Sequence, residues 1–132
     1  MSDARIRVLL VDDHPEMRAI LSSVIPHFCP HATIAEASDG AEALRAVGQQ
    51  RPDLVITDVQ MPVMGGAELI RALRAQGMAM PILAASSEPI FAKGILAAGA
   101  THFLPKPFPL PELRMLLRRL LCVDDAAQAA GE

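Results

Sequence analysis

The sequence predicts an α/β protein, a doubly wound parallel sheet of five strands with helices on both faces. Three observations carry this. Short apolar runs alternate five times with stretches of helical spacing, the pattern of a parallel sheet with right-handed crossovers. The runs at 6–11 and 54–58 are almost wholly apolar, as strands covered on both faces are. Gly and Pro punctuate the chain between runs, at Pro15, Gly40, Gly65-Gly66, Gly77, Pro89 and Gly99, where turns and helix ends need them.

The first strand, 6–11, is broken only by Arg7 and ends in Asp12-Asp13-His14-Pro15. Pro15 suits a first helical turn, where its missing N–H is not needed. Met17, Ile20, Leu21, Val24 and Ile25 then fall on one helical face, and Pro26 and Pro30 are expected to stop that helix. Residues 33–37 form a second, short strand. Ser38-Asp39-Gly40 reads as a turn, and 41–47 as a helix with Leu44 and Val47 on one face. The third strand is 54–58, Leu-Val-Ile-Thr-Asp. Met61-Pro62 and Gly65-Gly66 make a loop before a helix over 67–75, with Leu69, Ile70 and Leu73 inward and Arg71 and Arg74 outward. The fourth strand is 81–85, followed by Ser86-Ser87-Glu88. A helix over 90–98 closes at Gly99, a favourable cap residue. The fifth strand, 101–104, precedes Pro105-Lys106-Pro107, and the last helix covers 110–121. Residues 1–122 read as one domain; 123–132 are an acidic, Ala-rich tail without apolar pattern, expected to be disordered.

At 132 residues the chain is long enough for one real core. A net charge of −3 offers no electrostatic case for nucleic acid or an anionic membrane. No apolar run approaches the ~18–20 residues that cross a bilayer, and the first residues lead directly into a strand pattern, which argues against a signal peptide. Cys29 and Cys122 are too few for a disulfide framework. A cytoplasmic domain is the expectation.

In a parallel sheet all carboxyl ends share one edge, and ligands bind there. The residues just past the strands are therefore neighbours: Asp12 and Asp13, then Asp58, Ser86 and Lys106. Three gathered carboxylates repel one another unless a cation compensates. Mg²⁺, a hard ion taking carboxylates, a carbonyl and waters, fits best, with Mn²⁺ as its substitute. Carboxylates, a hard metal, a lysine and a hydroxyl suit phosphoryl transfer, with one carboxylate as the attacking group.

This set resembles the receiver domain of two-component response regulators. The residues carrying the resemblance are Asp12-Asp13, Asp58 with Met61-Pro62 and Gly66 behind it, Ser86 and Lys106-Pro107, and it spans about residues 5–121. It implies a flavodoxin-like (βα)5 fold with strand order 2-1-3-4-5. It implies that Asp58 accepts a phosphoryl group from a histidine kinase or histidine phosphotransfer protein. Asp12, Asp13, Asp58 and the backbone carbonyl of Gln60 would hold Mg²⁺. Lys106 would pair with Asp58 and then with the phosphoryl group, towards which the Ser86 hydroxyl would move. Phe103 matches the aromatic switch residue, and the Lys106-Pro107 bond matches one that is cis in the family. Gln60 and Glu88 occupy positions that tune phosphoryl lifetime. The resemblance also implies a switch that promotes its own phosphorylation and dephosphorylation rather than an enzyme, acting on a downstream protein through helix four, strand five and helix five.

Two features depart from the family pattern. Phe103 lacks the hydroxyl of Tyr, and Pro105 lacks an N–H, which an edge strand tolerates. The last helix is apolar over a wider face than a sheet requires, at Leu110, Leu113, Met115, Leu116, Leu117, Leu120 and Leu121, with Arg114, Arg118 and Arg119 opposite. That is either a generous core face or a docking face for a homodimer or partner. His27, Cys29 and His31 are closely spaced but supply no fourth zinc ligand, and His14, following the acidic pair, reads as an exposed loop histidine, with lining of the pocket mouth as the alternative. The tail is too short for an output domain. The rival readings are a degenerate receiver serving as a phosphorylation-independent interaction module, and a nucleotide- or flavin-binding α/β enzyme. The second is disfavoured because two carboxylates, not a Gly-rich loop, follow the first strand.

Overall fold

The computed structural model describes residues 5–121. Five strands, β1 (Ile6–Val11), β2 (Ala32–Ala37), β3 (Leu54–Asp58), β4 (Ile82–Ser86) and β5 (His102–Pro105), alternate with helices α1 (Pro15–Phe28), α2 (Gly40–Gln49), α3 (Gly66–Ala75), α4 (Ala92–Ala98) and α5 (Leu110–Leu120). All neighbouring strands pair in parallel, in the order β2-β1-β3-β4-β5. This is the expected doubly wound, flavodoxin-like sheet. The tail at 123–132 and Cys122 lie outside the described residues.

Strand alternation divides the core into two layers. Leu9, Val11, Val55, Ile82 and Ala84 face α2, α3 and α4, meeting Val47, Leu69, Ile70, Leu73 and Ile95. Val8, Leu10, Leu54, Ile56, Leu83 and Leu104 face α1 and α5, meeting Leu21, Ile25, Leu113, Leu116 and Leu117. Every residue of β3 and of β4 is buried. Successive side chains go to opposite faces of a strand, so a strand covered on both sides must be apolar throughout, apart from what its carboxyl end presents.

Element ends move by a residue or two, and four local readings change. Pro26 does not stop α1; the helix continues through it to Phe28. Proline removes one backbone hydrogen bond and strains the preceding turn, a small loss two residues from the helix end, where Ile25 and Cys29 are buried in the core. Pro30 lies beyond the Cys29 cap. The segment around His27 is therefore the last turn of α1 rather than a loop. Cys29 points into the core while His27 and His31 are exposed. The expected helix over 90–98 is divided, with Pro89–Phe91 forming a 3₁₀ turn before α4.

The third change is at Ser38-Asp39-Gly40, which is the capping segment of α2. The Asp39 carboxylate accepts the Glu42 N–H at 2.8 Å, and the Glu42 carboxylate accepts from both the N–H and the hydroxyl of Ser38, a reciprocal cap. The fourth concerns Arg74, which is not a solvated outward residue. Its guanidinium donates to the carbonyls of Met78, Met80 and Gly99 at 2.7–3.0 Å and so ties α3 to the start of β4 and the end of α4. Burial pulls its pKa below the ordinary arginine value. On α5, Leu113, Leu116 and Leu117 are buried, whereas Leu110 and Met115 are exposed, so the wide apolar face is only partly core.

The loop after β3 is held in place by close backbone approaches. The Gly66 N–H donates to the Val59 carbonyl at 2.9 Å, and a Cβ on Gly66 would lie 2.4 Å from the Asp58 carbonyl oxygen. Only glycine lets α3 start this close to the end of β3. The Gly40 N–H donates to the Met64 carbonyl at 2.9 Å, pinning the same loop to the start of α2.

Candidate phosphoacceptor site at the carboxyl edge

The register brings the polar strand ends side by side. Val11 pairs with Thr57, so Asp12 and Asp58 stand next to one another on adjacent strands. Asp58 pairs with Ala85, and Ser86 with Pro105. The Lys106 N–H donates to the Ser86 carbonyl at 2.9 Å, extending the ladder one step past β5. Asp12, Asp58, Ser86 and Lys106 thus follow one another along a single edge, though they come from four strands.

Lys106 is the positive centre of the site. Its Nζ lies 3.4 Å from Asp58 Oδ1 and 3.5 Å from Asp12 Oδ2. Both carboxylates are buried, Asp12 at 6% exposure and Asp58 at 9%. Asp58 Oδ1 also accepts the Val59 N–H at 2.9 Å. Burial pushes the Asp58 carboxyl above its ordinary pKa and the nearby Asp12 charge adds to this, while Lys106 and the Val59 N–H pull it back. A carboxylate held this way is basic for its type.

Asp12 Oδ1 accepts the His14 N–H at 2.8 Å. The His14 ring leans back over the acidic pair, with Nδ1 3.1 Å from Asp12 Oδ1 and 3.3 Å from Asp13 Oδ1. The hydrogen bond that Asp12 accepts from the ring and the neighbouring carboxylates raise the His14 pKa. The Arg18 guanidinium donates to the Asp12 carbonyl and to Glu36 Oε1, bracing the end of β1 against α1 and β2. Sequence reasoning does not anticipate Arg18, because one arginine on a helix carries no pattern of its own.

Ser86 is 3% exposed, and its hydroxyl accepts the Glu88 N–H at 3.0 Å. Gln60 and Glu88 are both exposed. The Lys106-Pro107 bond is cis. Phe103 is half-buried against the α4 side of the core, on the edge strand. Beside Lys106, an apolar groove runs between α1 and the β5–α5 connection, lined by Met17, Ile20, Leu21, Pro107, Phe108 and Leu110.

The donor set fits a hard divalent cation. Among the described residues, one oxygen each from Asp12, Asp13 and Asp58 and a ring nitrogen of His14 lie within 4.8 Å of one another. Asp13 Oδ1 is buried and accepts no hydrogen bond; its His14 neighbour at 3.3 Å is an ion-pair contact only. A buried carboxylate oxygen without a donor is costly, and a cation would satisfy it.

A doubly wound parallel sheet with an acidic cluster and one lysine at its carboxyl edge defines a flavodoxin-like α/β domain with a candidate cation site. The chain belongs to the response regulator receiver domain family, whose profile matches residues 8–118, and it is thus a signalling module of two-component systems. It is 39% identical over 128 residues to the response regulator MprA of Mycobacterium ulcerans, covering 92% of this chain and 54% of that protein. The chain therefore spans about half the length of the curated relatives it matches. Among solved structures it resembles the chemotaxis response regulator CheY4 of Vibrio cholerae, with a TM-score of 0.80, 36% identity, and coverage of 89% of this chain and 100% of that one. It also resembles the receiver domain of a sensor histidine kinase from Pseudomonas aeruginosa, with a TM-score of 0.79, 29% identity, and coverage of 89% and 98%. Among the described residues no helix is long and apolar enough to cross a membrane.

Proposed function

We propose that this domain accepts a phosphoryl group on Asp58 from a histidine kinase or histidine phosphotransfer protein and passes the signal to a downstream protein. The observation that carries the reading is the position of Lys106 Nζ, 3.4 Å from Asp58 and 3.5 Å from Asp12 at a buried acidic edge. A lysine there balances a second charge as well as the first.

Asp12, Asp13 and Asp58, with the Gln60 carbonyl, would hold Mg²⁺ or Mn²⁺. The Pseudomonas aeruginosa receiver domain is described with a magnesium ion coordinated in its active-site cleft, which supports this choice. When bound, the ion neutralises charge on the transferring phosphoryl oxygens. The protein does the rest by position. An Asp58 oxygen attacks phosphorus; the P–N bond to the donor imidazole breaks with its electron pair going to nitrogen, and the ring, already protonated on its other nitrogen, leaves as neutral imidazole. Lys106 stays beside the new aspartyl phosphate. Ser86, whose hydroxyl here only accepts, can turn its O–H towards a phosphoryl oxygen. The chain is then a switch that catalyses only its own modification.

Phosphorylation adds charge and acceptor oxygens that Ser86 and Lys106 bind better in one of two states. Phe103, on the edge strand, is positioned to carry the change to α4, β5 and α5. Gln60 and Glu88 flank the phosphoryl position and would set its lifetime. The exposed Met115 on α5 lies on the face that would meet a partner or a second copy; light scattering with and without a phosphoryl mimic decides between them.

The test is incubation with acetyl phosphate and Mg²⁺, read by intact mass. One adduct of ~80 Da is expected, absent in Asp58→Asn. A folded protein that takes no adduct would leave the phosphorylation-independent interaction module as the better reading.

A further inference from the structure

The function above leaves His14 without a role, yet its placement is specific. It is the residue before Pro15 at the start of α1, and its own N–H bond to Asp12 Oδ1 at 2.8 Å fixes the backbone there. The side chain is 67% exposed and has open solvent to turn into. It nevertheless lies over the acidic pair, with Nδ1 3.1 and 3.3 Å from one oxygen of each aspartate. Neighbouring ligands of an octahedral ion with bonds of about 2.1 Å stand about 3.0 Å apart. Both separations are close to that spacing. The second involves Asp13 Oδ1, the buried oxygen that accepts no hydrogen bond.

We propose that His14 is a fourth side-chain ligand of the cation held by Asp12, Asp13 and Asp58, bound through Nδ1, and that it tilts the site from Mg²⁺ towards Mn²⁺ and other first-row divalent ions. The inference rests on the cation-binding reading of the pocket and adds selectivity to it. Mg²⁺ demands oxygen ligands and gives up its waters reluctantly, whereas imidazole suits transition ions. A site of three carboxylates and one imidazole therefore gains more with Mn²⁺ than an all-oxygen site does. The opposing role is plain charge pairing, in which a protonated imidazole occupies the carboxylates and competes with any cation. The two roles predict opposite signs on removing the ring.

The experiment is calorimetric titration of the full chain with MgCl₂ and with MnCl₂, at a pH where imidazole is neutral, for the wild type, His14→Ala and His14→Gln. Electron spin-echo measurements on the Mn²⁺-loaded proteins accompany it. The expected result is nitrogen modulation on Mn²⁺ in the wild type that both variants lose. Mn²⁺ affinity should fall about tenfold in both, with a much smaller change for Mg²⁺. Tighter binding of both ions in the variants, equal loss for both, or wild-type Mn²⁺ without nitrogen modulation would overturn the role of His14 while leaving the phosphoacceptor reading intact. Failure of the wild type to bind either ion would overturn both.

Discussion

Asp58 is buried beside Asp12 and opposed by one lysine, and its carboxyl pKa is raised above the ordinary value, chiefly by burial. A carboxyl whose pKa is higher folded than unfolded binds more protons in the native state, so its contribution falls as pH rises from the unfolded pKa through the folded one. Without a divalent cation, ionised Asp58 therefore opposes folding at neutral pH and is harmless in acid. Asp58→Asn should be more stable than the wild type at about pH 7 in EDTA, and the two stability curves should converge towards about pH 3. Urea denaturation across that range measures the gap. A gap that widened on acidification would contradict the assignment of burial as the cause. The retained cost is the mark of a group kept for chemistry rather than stability.

Among the elements, the loop after β3 and the start of α2 carry opposite local energetics. Val63 has φ +68° and is 82% exposed, and the Met64 N–H bonds back to the Pro62 carbonyl at 2.7 Å. A β-branched residue in this tight left-handed turn is strained. Val63→Gly should stabilise the fold by about 1 kcal/mol, the strain relieved outweighing the added freedom of the unfolded chain; thermal and urea unfolding would show it. At α2 the Asp39–Glu42 cap is favourable. Asp39→Ala should cost about 1 kcal/mol. The Ser38 N–H and hydroxyl hold the Glu42 carboxyl below its ordinary pKa. Its contribution is present above the unfolded pKa and is lost as pH falls through the depressed folded value. Glu42→Gln should therefore cost a few tenths of a kcal/mol at neutral pH, screened by solvent, and nothing in strong acid.

At the scale of the molecule, the fold and the cation site are linked. A ligand that binds only the folded chain stabilises it by an amount that grows with its concentration, about 2.7 kcal/mol at a hundredfold excess over Kd. The melting temperature should rise with added Mg²⁺ in the wild type. In Asp13→Asn, which removes one negative charge from the acidic cluster, most of that rise should vanish while the metal-free melting temperature changes little or increases. A variant that loses stability equally with and without Mg²⁺ would assign Asp13 a structural role instead.

The sequence by itself determined the sheet, its five strands and the ordered polar residues at their ends. Strands covered on both faces must be apolar, and a parallel sheet must gather its carboxyl ends, so Asp12, Asp58, Ser86 and Lys106 were legible as neighbours before any coordinate. Tertiary structure alone decided what depends on distance and on company. Pro26 stays inside α1 because Ile25 and Cys29 are buried on either side of it. Arg74, polar by type, is pinned by three carbonyls that meet only when α3, α4 and β4 pack. His14 is exposed, as expected, but its ring nitrogen also lies against the acidic pair, and periodicity cannot foretell that contact, because it records which face a residue occupies and not the direction of its side chain.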